Sequence, residues 1–265
     1  MKFLVMTDVE GVTGVTTFPQ AEKSDFGKRM LMNDVTAVLA GLRDAGAEAV
    51  LYDMHTDGRN LDVEQLDCPV VMGKPILPHL WRGVGGKGFD GLFMVGLHTM
   101  QNVPGALLAH SYLREYASIH INGVLMGEIG VEAALAGEQG VPLKFVSGDD
   151  LGCKEASALI PGVVTAPVKT SLADDAALCL TPAETAPLLR EAARRAAAAS
   201  VAPFTLSPPY EIRVRFSPCR CLEAMKTLHP DLFETAETAV MRGENLLETW
   251  SAYLLYEREM IRSCQ

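Results

Sequence analysis

Three short apolar runs, with a helix-like stretch between the first two, constrain the fold more than any other feature of this chain. The runs are KFLVMT (2–7), AEAVLYD (47–53) and GLFMVGL (91–97). Continuous apolar runs of this length are typical of strands that are buried on both faces of a parallel sheet. From Gly27 to Ala45 apolar residues recur at helical spacing, and Gly46 follows where a helix would end. Strand, helix and strand in this order predict βαβ units, so we expect an α/β fold with a mostly parallel sheet flanked by helices.

The second half of the chain adds different elements. Asn122-Gly123 lies between two β-prone runs and predicts a hairpin over 118–127. The further predicted elements are a helix over 128–140, a strand over 141–150, a helix that begins near 154, an Ala-rich helix over 181–200, an alternating strand over 210–216 and a terminal helix over 244–261. We therefore predict an α/β domain over residues 1–165 and a smaller α+β carboxy-terminal domain over 166–265, with the boundary between 165 and 205.

The charge of the chain excludes several classes of partner. The 265 residues carry a formal net charge of −10. Nucleic acids and anionic membrane surfaces both attract basic proteins, so we expect neither as a partner. Hydrophobic residues make up 48% of the chain and charged residues 21%, which is enough apolar material for a packed core.

The expected compartment is the cytoplasm. The apolar run at the amino terminus is too short for a signal peptide, and no window is long enough to span a bilayer. The six cysteines are scattered, which is typical of reduced thiols. Cys219-Arg-Cys221 has no second Cys/His pair at zinc-finger spacing, so it is a weak metal candidate.

Acids and histidines follow the predicted strands at the same end. Asp8 and Glu10 come after the first strand, His55 after the second and His98 after the third. Because the carboxyl ends of parallel strands meet at one edge of the sheet, these side chains can converge. Glu128, at the start of the helix after the hairpin, adds a fifth candidate. Carboxylate and imidazole together suit zinc, and five such groups suit two ions that share a carboxylate.

Each of these residues also has an ordinary interpretation. The same pattern fits an α/β binding protein whose pocket has an acidic rim. His110 follows a Pro-Gly break and can lie beside a metal without binding it. Asp149 and Asp150 also follow a strand, and they either line the pocket or cap the next helix.

Seven short motifs, in order, resemble one known family. The chain resembles the binuclear-zinc D-aminopeptidases of the dipeptide-transport operon, the DppA type, over nearly its whole length. The matching stretches are TDVEGVTG (7–14), YDMHTDGRN (52–60), MVGLHT (94–99), PGALLAHS (104–111), INGVLMGEIG (121–130), VSGDD (146–150) and TAPVKTS (165–171). The resemblance implies an α/β amino-terminal domain, which carries the metal and the catalytic residues, and a smaller carboxy-terminal one.

The resemblance also implies a role for each candidate residue. Asp8 would bridge two zinc ions. Glu10 and His98 would complete one site, His55 and Glu128 the other, and His110 would be the catalytic acid/base.

The implied function is hydrolysis of short peptides with amino-terminal D-amino acids by a water that two metals activate. A pocket carboxylate or the second metal would hold the free amino terminus of the substrate. The implied assembly is a ring-shaped homodecamer of two stacked pentamers, for which the Met- and Pro-rich carboxy-terminal part offers apolar surface.

Two rival functions and one departure accompany the resemblance. Met54 stands where the family usually has a small polar residue before the first histidine. A cytoplasmic peptide-binding protein without catalysis would share the fold. A metal-dependent phosphohydrolase with Asp8 as nucleophile would use a carboxylate-only magnesium shell, which leaves two strand-end histidines unexplained.

Overall fold

The computed structural model describes residues 1–264, which form two β-sheets and seven α-helices. The strands are β1 (Lys2–Thr7), β2 (Glu48–Asp53), β3 (Val70–Val71), β4 (Gly91–Leu97), β5 (Tyr116–Ile121), β6 (Val124–Met126), β7 (Leu143–Asp149), β8 (Val164–Ala173), β9 (Ala176–Cys179), β10 (Tyr210–Phe216) and β11 (Thr238–Gly243). The helices are α1 (Phe18–Lys23), α2 (Asp25–Asp44), α3 (Glu128–Glu138), α4 (Asp150–Leu159), α5 (Pro182–Ala198), α6 (Arg220–Leu228) and α7 (Leu246–Cys264).

The larger sheet has seven strands in the order β3-β2-β1-β4-β7-β8-β9. All neighbours pair parallel except β9, which is antiparallel to β8. Phe3 and Val5 pack with α2 and α5 on one face, whereas Leu4 and Met6 pack with α3 and α7 on the other. Two buried faces explain the continuous apolar runs. The predicted mostly parallel sheet flanked by helices is confirmed.

The smaller sheet is antiparallel, in the order β11-β10-β5-β6. It combines the Asn122-Gly123 hairpin with two strands from the carboxy-terminal part, and both hairpin residues have positive φ, as a type I′ turn requires. A separate smaller sheet agrees with the predicted fold class. The division into residues 1–165 and 166–265 stays a prediction, and β5 and β6 come from its first part.

The sheet topology brings the residues that follow β1, β2 and β4 together at the carboxyl ends of these strands. Gly11 and Gly96 let the loop after β1 lie directly against the end of β4, since a Cβ on Gly11 would be 1.9 Å from the carbonyl oxygen of Leu97. Gly11 N–H donates to the carbonyl of Gly96, which has φ +79°. Across residues 1–264, no helix combines the length and the apolar character that a bilayer crossing needs.

Candidate metal centre

Five buried side chains converge at the carboxyl ends of the central strands. Asp8 and Glu10 follow β1, His55 follows β2 and His98 follows β4, while Glu128 is in the first turn of α3. None is more than 7% exposed. The structure therefore brings together all five residues that the sequence offered as metal ligands.

Asp8 lies between the two histidines. Its Oδ1 is 2.8 Å from His55 Nδ1, and its Oδ2 is 3.3 Å from His98 Nε2. Glu10 Oε2 lies 3.0 Å from His55 Nδ1, and Glu128 Oε1 lies 3.3 Å from His98 Nε2. One carboxylate thus contacts both imidazoles, and each imidazole contacts one further carboxylate.

Two groups of three residues could each hold a metal ion, because the potential ligand atoms within a group lie within 4.8 Å of one another. One group is Asp8, Glu10 and His98, the set that the family resemblance implies for one zinc. The other is His98, Glu128 and His110. His110 therefore lies at ligand distance in this structure, whereas His55 packs against Asp8 and Glu10.

The chemistry of these side chains fits a bound cation. Among residues 1–264, no lysine or arginine forms an ion pair with Asp8, Glu10 or Glu128. His55 Nε2 is buried without a hydrogen-bond partner in that part of the chain. Buried carboxylates and orphaned polar atoms are strongly unfavourable unless a cation compensates them. The mixed oxygen and nitrogen donors suit zinc.

The carboxylates of the cluster raise the proton affinity of the two imidazoles. Burial raises the pKa of Asp8. His55 and His98 lower it by more than burial raises it, so the pKa of Asp8 is well below its usual range. Burial lowers the pKa of His55, but Asp8 and Glu10 raise it to about 10. The pKa of His98 is also raised, by Asp8 and Glu128. A metal ion must therefore displace protons from this centre, so acid should weaken its binding.

Surrounding groups orient the histidines and their loops. His98 Nδ1 lies 3.1 Å from the carbonyl oxygen of Thr99, which directs Nε2 toward the carboxylates. Asp149 accepts from both the N–H and the hydroxyl of Thr99, and it also caps α4 through the N–H of Leu151 and Gly152. Of the two roles left open by the sequence, Asp149 therefore has the helix-capping one.

The loop HTDGRN (55–60) is held in place by the buried carboxylate of Asp53. Asp53 accepts from the N–H of His55 and of Asn60, and the Asn60 amide donates to the carbonyl of His55. This local network fixes the backbone that carries His55.

Tyr112 and Lys169 support the centre, and sequence reasoning did not identify either. The N–H of Tyr112, a residue with φ +58°, donates to Glu128 Oε1 at 2.7 Å. The buried ammonium of Lys169 donates to the carbonyls of Glu10, Val12 and Val15, which hold the loop after β1. Burial lowers the pKa of Lys169 to about 8. The sequence feature that could have identified Lys169 is its place in the TAPVKTS motif (165–171).

His110 stacks on His98 beside a cavity. The two rings are 4.0 Å apart and nearly parallel, at 9°. His110 Nδ1 lies 2.9 Å from the carbonyl oxygen of Leu108. Burial and the neighbouring His98 lower the pKa of His110, which favours the neutral imidazole. A cavity of about 450 Å³ is lined by Asp8, Glu10, His55, His110 and Glu128, and Met54 also borders it.

Known proteins are similar to this chain in both sequence and fold. A family model described as D-aminopeptidase (Peptidase_M55) matches residues 1–253. A D-aminopeptidase of Bacillus subtilis (strain 168) is 29% identical over 273 residues, which cover 99% of this chain and 99% of the relative. A solved structure, the Zn-dependent D-aminopeptidase DppA from Bacillus subtilis, a self-compartmentalizing protease, matches with a TM-score of 0.90 at 28% identity, over 99% of this chain and 98% of that one. Because the family model spans nearly the whole sequence, the chain belongs to the DppA-type D-aminopeptidase family.

Proposed function

We propose that this protein is a zinc-dependent aminopeptidase that hydrolyses short peptides with amino-terminal D-amino acids. The observation that carries the proposal is the cluster of three buried carboxylates and two imidazoles, without an arginine or lysine partner in residues 1–264, at the wall of a peptide-sized cavity. Membership of the D-aminopeptidase family supports the same reaction. The two histidines argue against a carboxylate-only magnesium phosphohydrolase.

Two zinc ions per chain would be held by this cluster, with Asp8 as the shared ligand. The support is that the two oxygens of Asp8 face different histidines. Glu10 and His98 would belong to one ion, and His55 and Glu128 to the other. Bound zinc would polarise the scissile carbonyl and lower the pKa of the attacking water.

His110 would move the proton between water and leaving group. Its Nδ1–H donates to the carbonyl of Leu108, which leaves the Nε2 lone pair available. Nε2 accepts a proton as water adds to the carbonyl carbon, and then delivers it to the amine as the C–N bond breaks. A neutral imidazole near pH 7 can do both, and the lowered pKa of His110 is consistent with this role.

The proposed assembly is a ring-shaped homodecamer in the cytoplasm. The related structure is that of a self-compartmentalizing protease, which supports an oligomer. The six cysteines are all free thiols in the structure, which fits a reducing compartment.

One experiment tests the reaction and the metal together. The protein is purified without chelator, its metal content is measured, and hydrolysis of matched D- and L-dipeptides is followed before chelation, after chelation and after zinc is restored. We expect zinc in the protein, preference for the D-dipeptide, and loss and recovery of hydrolysis. Asp8→Asn should lose zinc and activity, while Asp25→Asn, an exposed change on α2, should keep both. Absence of any transition metal, or hydrolysis that chelation does not change, would refute the proposal.

A further inference from the structure

The cavity beside the metal centre extends to the terminal helix. Besides the cluster, its wall includes the charged residues Lys74, Arg114, Glu22, Glu115 and Glu257. Glu22 pairs with Arg114 at 3.3 Å. Glu257 is on α7, far along the chain from the candidate ligands, so the helix brings a separate carboxylate into the same cavity.

Glu257 has one hydroxyl partner and, within residues 1–264, no ion-pair partner. Its Oε2 accepts from the hydroxyl of Tyr116 at 2.5 Å, and Tyr253 donates in turn to the oxygen of Tyr116 at 2.8 Å. This chain of hydroxyls fixes the orientation of the carboxylate. Within residues 1–264, no lysine, arginine or histidine lies within ion-pair distance of Glu257, and its Oε1 accepts no hydrogen bond.

Two other carboxylates of this protein, one buried and one half-buried, have the partners that Glu257 lacks. Glu132 pairs with Arg82 and also accepts from Tyr112. Glu138 caps α7 through the N–H groups of Leu246 and Leu247. Burial raises the pKa of Glu257, and the hydrogen bond from Tyr116 and the more distant charges of Lys74 and Arg258 offset only part of this rise. A cationic ligand in the cavity would supply the missing charge and hydrogen bonds.

We propose that Glu257 binds the protonated α-amino group of the peptide substrate and thereby selects peptides with a free amino terminus. This inference rests on the proposed aminopeptidase function. A substrate ammonium in the cavity can donate to Oε1 while Tyr116 keeps Oε2 in place. A site built around such a hydrogen-bonded charge discriminates strongly against analogues that lack it, because the half-buried carboxylate is then left without a charged partner.

The test compares a free-amine D-dipeptide with its des-amino analogue in the zinc-loaded enzyme. Glu257→Gln keeps the shape of the side chain and an oxygen that can accept from Tyr116, but removes the charge. We expect kcat/KM for the free-amine peptide to fall roughly 10- to 100-fold, the range for a lost charged hydrogen bond. Hydrolysis of the des-amino analogue, the zinc content and the oligomer should stay unchanged.

A second measurement does not depend on turnover of the analogue. A primary alkylamine should inhibit the wild-type enzyme competitively, and its inhibition constant should rise about 10-fold or more in Glu257→Gln, since the amine loses a charged partner. Glu259→Gln, an exposed change on the same helix, is the matched control and should leave both readings unaltered.

Three results would overturn the assignment. Equal losses on both peptides would make Glu257 a structural residue. An unaltered free-amine preference would leave the metal as the amine-binding group, and loss of that preference in Glu115→Gln alone would assign the role to Glu115. If the wild-type enzyme hydrolyses neither peptide, the proposed aminopeptidase function fails and the assignment of Glu257 fails with it. If the wild-type enzyme hydrolyses the free-amine peptide and one of the three results above is found, only the assignment of Glu257 fails.

Discussion

Asp8 is the residue on which the electrostatics of the centre depend. It is 3% exposed and contacts both His55 and His98. A carboxylate at this depth is stable only while positive charge stays beside it, as imidazolium or as metal. Protons and metal ions therefore compete for the same positions, and the site is expected to lose metal in acid.

At the same scale, we predict that His110→Ala keeps zinc but loses turnover. The five other side chains supply the proposed ligands, and the hydrogen bond of His110 goes to a backbone carbonyl. We expect turnover to fall roughly 10²- to 10⁴-fold, the usual range for a lost general acid–base group. Zinc analysis and steady-state kinetics on one preparation give the measurement.

The control and the contrary outcomes for His110 are direct. His120→Ala changes a histidine of β5 in the smaller sheet and should leave turnover near normal. Near-normal turnover in His110→Ala would remove His110 from the mechanism. Loss of zinc would make it a ligand, as its distance from His98 and Glu128 allows.

At the scale of elements, a buried network ties the metal-binding loop to two helices. Asp34 on α2 accepts from the N–H of Thr13 at 2.9 Å and from its hydroxyl at 2.7 Å. The Thr13 hydroxyl is also 3.0 Å from that of Thr185 on α5. The loop after β1 is thereby fixed to the helical layer that covers the sheet.

This network makes stability depend on pH. Burial raises the pKa of Asp34 to about 6 from 3.8, against the hydrogen bonds from Thr13. Between these values the unfolded chain releases the proton first, so the contribution of Asp34 to stability falls as pH rises from 3.8 to 6. Above pH 6 the loss is complete and is on the order of 2–3 kcal/mol, at 1.36 kcal/mol per pKa unit.

We predict that Asp34→Asn stabilises the protein, and more so at pH 8 than at pH 5. The amide cannot ionise, its oxygen can accept from Thr13 N–H, and its NH2 can donate to the Thr13 hydroxyl, which then donates to Thr185. The gain in unfolding free energy should be about 1–2 kcal/mol larger at pH 8. Urea unfolding at both pH values measures it.

Asp175→Asn, an exposed change in the turn between β8 and β9, serves as the control and should alter neither value appreciably. A destabilised Asp34→Asn at pH 8 would show that the hydrogen bonds of the ionised form outweigh its burial.

At the scale of the molecule, the surface suggests contacts beyond one chain. Leu172 and Leu178 of the β8–β9 hairpin are each 67% exposed, at the edge of the larger sheet. An edge strand with exposed apolar residues is a common pairing surface.

We predict a homo-oligomer, with a mass near ten times the 28.6 kDa of one chain. The reason is that assembly would bury the exposed apolar edge of the larger sheet. Light scattering at micromolar concentration measures the mass. A species of single-chain mass would contradict the prediction.

The sequence by itself determined the central sheet and the positions of the candidate ligands. Apolar runs buried on both faces are visible without knowledge of their neighbours, and their ends predict where polar side chains collect. The predicted strand over 91–97 agrees with β4 residue by residue. Asp8, Glu10, His55, His98 and Glu128 could therefore be named before their distances were known.

Only the tertiary structure decided the rest, because those contacts join residues far apart in the chain. The strand β8, half-exposed and interrupted by Pro167, has no clear apolar run, and it was not predicted. Lys169 reaches the loop after β1 across 154 to 159 residues, and the smaller sheet joins β5 to β10. Glu257 lies in the cavity wall because α7 packs beside the metal centre. Local sequence patterns reveal which residues are buried and which form turns. How the layers pack determines the partners of the buried charges.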